Sequence, residues 1–172
     1  MAILHQDTVN TILDLLIKKF KEELRNQGHV STGRLESSFE AKVLITGSGV
    51  IGYVYAEGYG LTLNTGLTPD QVIARGQDHL SGLIRYFQFK GLSGRELFRA
   101  AYSTWNAHKT VGMPTPGSFS FSRNGRRTGW IDVVLNENEE FVRKEIEVDA
   151  FNVLENDLGI ESVKREPIKV YF

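Results

Sequence analysis

Cysteine is absent from all 172 residues, which removes disulfides, thiolate catalysis and cysteine-based zinc sites together. There is no excess of charge either: 20 Lys+Arg stand against 21 Asp+Glu, a net −1 at neutral pH. No overall basic field therefore exists to hold nucleic acid non-specifically. No apolar run approaches the roughly 18 residues of a membrane span. The start, Met1-Ala2-Ile3-Leu4-His5-Gln6-Asp7, has neither the basic lead nor the apolar stretch of a signal peptide. His5, His29, His79 and His108 are scattered, without an i, i+4 pair. The zincin motif, the phosphate-binding P-loop and the nucleophile elbow are missing too. These absences predict a soluble chain, intracellular or carried in a particle, that is not an enzyme and holds no cofactor or metal.

What is present is enough apolar material for a packed core, with 41% hydrophobic against 24% charged residues. Such a length can bury roughly 70% of its unfolded surface. Val9, Leu13, Leu16, Phe20 and Leu24 recur at spacings of three and four, predicting an amphipathic helix over 8–27 with Asp7 as N-cap and Gly28 as left-handed stop. Ile12, Leu15 and Ile17 widen its apolar face, which implies more than one neighbour. Over 37–56 the period becomes two. Phe39, Ala41, Val43 and Ile45 alternate with Ser38, Glu40, Lys42 and Leu44, Thr46–Gly49 reads as a turn, and Val50–Ala56 is β-branched and aromatic. This is a β-hairpin, which must join a sheet and pack on a helix.

Residues 57–67, rich in Gly and Thr, read as loop. Thr68-Pro69-Asp70-Gln71 predicts a capped short helix ending at Gly76, and 79–90 a second. Ser93-Gly94-Arg95-Glu96 opens a third, running to about His108, and the last two form an αα-hairpin. The prolines and serines of 111–129 break regular structure, apart from a short strand at Ser118–Ser122 and a tight turn at Arg123-Asn124-Gly125-Arg126. Trp130–Leu135 reads as a strand, Glu137–Asp157 as a helix and Pro167–Phe172 as a terminal strand or extended tail. The expectation is a single α+β domain over 1–172. Its antiparallel sheet has an N-terminal hairpin packed against the long N-terminal helix and the C-terminal helix, with a helical insertion at about 68–110.

Gly47-Ser48-Gly49-Val50-Ile51-Gly52 spells a G-x-G-x-x-G, but a dinucleotide site needs those glycines to open a helix. Tyr53-Val54-Tyr55 continues as strand instead, so the motif is a hairpin turn. Arg123, Arg126 and Arg127 gather positive charge beside Trp130. The readings that stand for them are a solvated turn, contact with nucleic-acid phosphates or an acidic partner surface, and an Arg/aromatic patch of the kind enriched at protein interfaces. On 79–90, Tyr86 and Phe89 fall off the stripe of Leu80, Leu83, Ile84 and Phe87. With the apolar face of 8–27 and with Tyr171 and Phe172, this is more greasy surface than one small core needs, which points to contacts with other chains.

Thr32-Gly33-Arg34-Leu35 followed by Ser38-Phe39, between the predicted helix and hairpin, resembles the tailed-bacteriophage head–tail joining or tail-completion family. Tyr55-Ala56-Glu57-Gly58-Tyr59-Gly60 is similar to that family's Tyr-Ala loop, with altered order. Gly112–Ser118 through Asn124–Trp130 resembles longer phage tail proteins with a helical insertion. The resemblance implies a structural virion protein forming an oligomeric ring in the neck or at the head-proximal end of the tail. It further implies residence in host cytoplasm before assembly and contact with portal-adaptor, neck or tail-tube proteins. DNA would pass through the lumen without sequence-specific binding, and no membrane is involved. Candidate interface residues are Arg34, Tyr59, Phe87, Phe89, Arg123, Arg126, Arg127, Trp130, Tyr171 and Phe172. The rival readings are an adaptor of a related tube or secretion apparatus, a nucleic-acid-binding module and a small enzyme.

Overall fold

The computed structural model describes residues 4–158 other than Ser48. The terminal strand expected at Pro167–Phe172, with Tyr171 and Phe172, lies outside the described residues.

Helix α1 spans Gln6–Asn26 and buries Val9, Ile12, Leu13, Leu16, Phe20 and Leu24, the stripe that its spacing predicts. Its N-cap is His5 rather than Asp7, which falls in the first turn, where a carboxylate favours the helix dipole. It ends in a Schellman closure: Gly28 is left-handed at φ 70°, Gly28 N donates to Arg25 O, and His29 N donates to Leu24 O. The last carbonyls of the helix are thereby satisfied.

The Thr-Gly-x-Leu-x-x-Ser-Phe segment then turns the chain. A four-residue helix α2 (Arg34–Ser37) sets Leu35 into the core, and Phe39 follows it there. Ser38 Oγ donates to Leu35 O and accepts from Glu57 N, tying the hairpin's start to its return. Strands β1 (Glu40–Thr46) and β2 (Gly49–Tyr55) pair antiparallel, with Glu40 opposite Tyr55 and Thr46 opposite Gly49. They are the only two strands of the sheet among the described residues. Gly52 lies against α1, where a Cβ would meet the Val9 and Leu13 side chains at 3.0 Å. It belongs to a strand and not to a nucleotide loop. The expected inward row Ala41–Val43–Ile45 is only partly buried, because Ala41 and Ile45 are exposed.

The Gly- and Thr-rich stretch expected as loop contains helix α3 (Tyr59–Thr65). Helix α4 (Pro69–Phe89) opens with the full Thr68/Gln71 capping box. Gly76 takes the non-helical φ 48°, ψ −121° in mid-course, so two helical stretches meet there at a kink, as the sequence predicts. Helix α5 (Gly94–Val111) starts after Ser93, whose side chain makes no capping bond. The α4–α5 pair buries its own apolar contacts, Val72, Leu80, Leu97 and Ala101. It joins the body through an antiparallel bridge in which Leu67 N donates to Met113 O at 2.7 Å and Met113 N to Leu67 O at 2.8 Å. Gly66 and Gly112 flank that bridge at φ 74° and 84°. A Cβ on either would meet the opposing carbonyl oxygen at 2.4 or 2.5 Å, so the two backbones cross only where side chains are missing.

Two expected strands are helical. Ser118–Ser122 falls in a 3-10 turn, Pro116–Phe121, in which Ser118 Oγ donates to Thr115 O and Ser120 Oγ to Gly117 O. These i to i−3 bonds support the tight winding. Arg123–Arg126 is accordingly no hairpin tip; Asn124 Oδ1 accepts from Arg126 N. Trp130–Leu135 opens helix α6, Trp130–Leu158. The β-branched Ile131, Val133 and Val134 read as strand, but their helical state is set by tertiary contacts. Ile131 N donates to Asn64 Oδ1 at 2.8 Å, and Gly129 N to Asn64 O at 2.7 Å. Asn64 thus caps α6 from a different element, the task of an N-cap side chain. Helical spacing also puts Trp130 and Val134 on one buried face. Phe20, Phe39 and Trp130 form the centre: Phe20 stacks on Phe39 at 5.9 Å between centroids, and Trp130 meets both edge-on at 5.4 and 5.9 Å.

The architecture is mixed helix and strand, with the hairpin and α6 on the long N-terminal helix. Helix α6 runs antiparallel to α1, with Trp130 beside Phe20 and Asp149 beside His5. Beyond Asp149 it continues from Ala150 to Leu158, roughly 14 Å of helix at 1.5 Å per residue.

Candidate functional site

The loop carrying the arginines is pinned to the end of α1 by a buried polar hub. Gln27, fully buried, donates through Nε2 to Glu23 Oε1 at 2.8 Å and to Thr128 O at 3.1 Å. Asn124 Nδ2 donates to the same Glu23 oxygen at 2.9 Å, and Arg123 N donates to Asn26 O. Arg127 Nη1 donates to Gln27 O at 2.6 Å, placing a cation at the negative end of the helix. His29 Nε2 lies 3.2 Å from Gln27 Oε1 and 3.1 Å from Arg127 O. Burial, with the nearby Arg127 charge adding, pushes its pKa down to about 4. Burial also lowers the pKa of Arg127.

Beside this hub opens a cleft of about 1030 Å³ between the end of α1 and α2 on one side and α4 with the 113–121 segment on the other. Its walls carry Arg34, Arg85, Lys90 and Arg127 and the aromatics Tyr59, Tyr86, Phe87, Phe89 and Phe121. The lone carboxylate among the lining residues, Glu36, is already paired with Arg25. Arg34 is held by Glu57 at 2.8 Å. Among the described residues, Arg85, Lys90 and Arg127 have no carboxylate partner. Two buried polar atoms of the lining, Ser31 Oγ and Arg127 Nε, have no hydrogen-bond partner. The site is basic and aromatic.

The cleft therefore brings together Arg34, Tyr59, Phe87, Phe89 and Arg127, which are far apart in sequence. Burial raises the Tyr59 pKa. Arg123 and Arg126 are exposed on the loop, the latter 4.0 Å from Glu137. Trp130 does not belong to this surface. It is 3% exposed, and its Nε1 donates to Gly60 O, so its role is internal and the expected Arg/Trp patch is not formed.

The sequence places surplus apolar surface on 8–27, on 79–90 and at Tyr171 and Phe172. Helix α1 spends its stripe on the core, Tyr86 and Phe89 of α4 are exposed, and Tyr171 and Phe172 lie outside the described residues. Further surplus lies elsewhere. On the outer face of the hairpin, Leu44, Ile51, Tyr53 and Tyr55 are exposed, and the pairing register puts all four on one side. On α6, Phe141, Val148, Phe151 and Leu154 are exposed as well. A further pairing unseen in sequence joins His79 to His108. Among the described residues no three His, Cys, Asp or Glu side chains converge as a metal set, and no helix is long and apolar enough to cross a membrane. Compared with family models, curated proteins and solved structures, the chain matches none.

Proposed function

We propose that this chain is a structural, non-catalytic virion protein of a tailed bacteriophage that closes into a ring in the neck or at the head-proximal end of the tail. One observation carries the reading: more large apolar side chains are exposed than buried among the described residues, and they lie on separate faces of the hairpin, the α4–α5 arm and α6. Apolar surface on this scale marks contact with other chains. A ring needs two different complementary faces on each subunit, and open faces on several sides meet that requirement. The helix, the Thr32–Phe39 turn and the hairpin follow in the order the family resemblance implies, and Leu35 and Phe39 of that motif are core residues. The partners would be further copies of the chain and the neighbouring portal-adaptor, neck or tail-tube proteins, with DNA passing through the lumen.

The test is sedimentation of the full chain at rising concentration, together with protein mass analysis of particles made by cells that carry its gene. Closed oligomers, or the protein in particles at a multiple-copy ratio, are expected. A monomer at hundreds of micromolar that is absent from every particle would overturn the reading.

A further inference from the structure

The α6 overhang and the cleft are opposites in shape and in charge. Between Glu137 and Leu158, α6 carries eight carboxylates and only two cations, Arg143 and Lys144. Arg143 stands 4.0 Å from Glu147, one turn on, at the limit of an ion pair with both side chains exposed, and the stretch keeps a net negative charge. Val148, Phe151 and Leu154 are spaced by three, placing them on one side of the helix, and they are 51%, 53% and 47% exposed. Glu147 and Glu155 flank Phe151 at i−4 and i+4. Past the His5–Asp149 contact, Phe151, Asn152, Leu154 and Asn156 are exposed. The cleft offers the complement: aromatic walls, with Arg85, Lys90 and Arg127 lacking carboxylate partners.

We infer that the acidic, apolar end of α6 from one copy of this chain docks in the basic, aromatic cleft of the next. The contact is heterologous: each copy supplies a helix to one neighbour and a cleft to the other, the head-to-tail geometry that closes rings. The inference rests on the ring reading and names the two surfaces that make the ring. Phe151 and Leu154 supply the buried anchors, while the cleft cations meet Glu147 and Glu155 and fix the register.

Two full-length variants test it. One carries Arg85→Glu with Lys90→Glu in the cleft, and the other Glu147→Arg with Glu155→Arg on α6. All four positions are solvent-accessible, so thermal unfolding checks that both variants keep the wild-type midpoint. Each variant alone should assemble at least about tenfold more weakly than wild type by sedimentation, because like charges then face each other across the contact. Mixed one to one, the two should recover assembly, since the reversed helix fits the reversed cleft and the native helix fits the native cleft. Assembly untouched by either variant, or lost and not recovered on mixing while the wild type forms rings, overturns the docking and leaves the ring reading standing. A wild-type chain that stays monomeric and is absent from particles overturns both.

Discussion

His79 Nε2 and His108 Nδ1 stand 2.8 Å apart, one imidazole donating to the other across the α4–α5 pair. Such a bond needs one bare nitrogen, so the pair cannot hold a proton on every nitrogen and survive. Burial, with the neighbouring His79 adding, pushes His108 down to about 4. Burial also lowers His79, with Arg75 adding. An unfolded histidine takes its proton near 6.5. Between about 6.5 and about 4 the unfolded chain binds more protons than the folded one, so stability falls as pH falls through that window. Thermal midpoints should be flat above pH 7 and decline from pH 6.5 to 4, with a shallower decline in His108→Gln. A wild-type midpoint unchanged down to pH 4.5 would contradict this account.

Trp130 is predicted to govern stability rather than contact. Its truncation to Ala removes two edge-on aromatic contacts and the bond to Gly60 O. Denaturant unfolding should show a loss of about 3–5 kcal/mol. A loss under 1 kcal/mol would show that the ring is not in the core.

Asn64→Ala deletes the acceptor that caps α6 while leaving the Asn64 backbone carbonyl in place. The expected cost is about 0.5–2 kcal/mol, with faster amide exchange in the first turn of α6, notably at Ile131. Unchanged exchange there would assign the capping elsewhere.

Gly112→Ala and Gly66→Ala put a methyl against a backbone oxygen in left-handed conformations. Each should cost on the order of 1–3 kcal/mol and open the base of the arm to limited proteolysis near residues 66–67 and 112–113. Gly117→Ala, where a Cβ meets nothing within 4 Å, serves as the control and should behave like wild type.

How far the sequence alone reaches depends on where each segment finds its determinants. Helix α1 is legible because its stripe and its Gly28 stop are local, and Thr68 with Gln71 is a complete local signal. The hairpin is legible from its alternation and its Thr46–Gly49 turn. The start of α6 is not legible, because Ile131, Val133 and Val134 favour a strand locally, while the Asn64 cap and the seat of Trp130 against Phe20 come from far along the chain. The 3-10 turn at Pro116–Phe121 hides behind serines whose hydroxyls bond back three residues, a choice that composition alone does not make. The cleft has no linear signature at all: Arg34, Tyr59, Phe87 and Arg127 meet only after the arm has folded over the end of α1. The histidine pair is 29 residues apart in sequence and equally silent.

The Leu67–Met113 bridge has an evolutionary consequence. Its two ends lie side by side, so the chain enters and leaves the arm at one place, and the helices beyond carry their own small core, touching the body besides through Arg75 on Thr62 and the walls of the cleft. A lineage could lengthen, shorten or discard everything between these residues with a brief turn in its place, and the Phe20–Phe39–Trp130 centre would not register the change. Diversification in such a protein would concentrate in the arm, while the ancestral part stayed as it was.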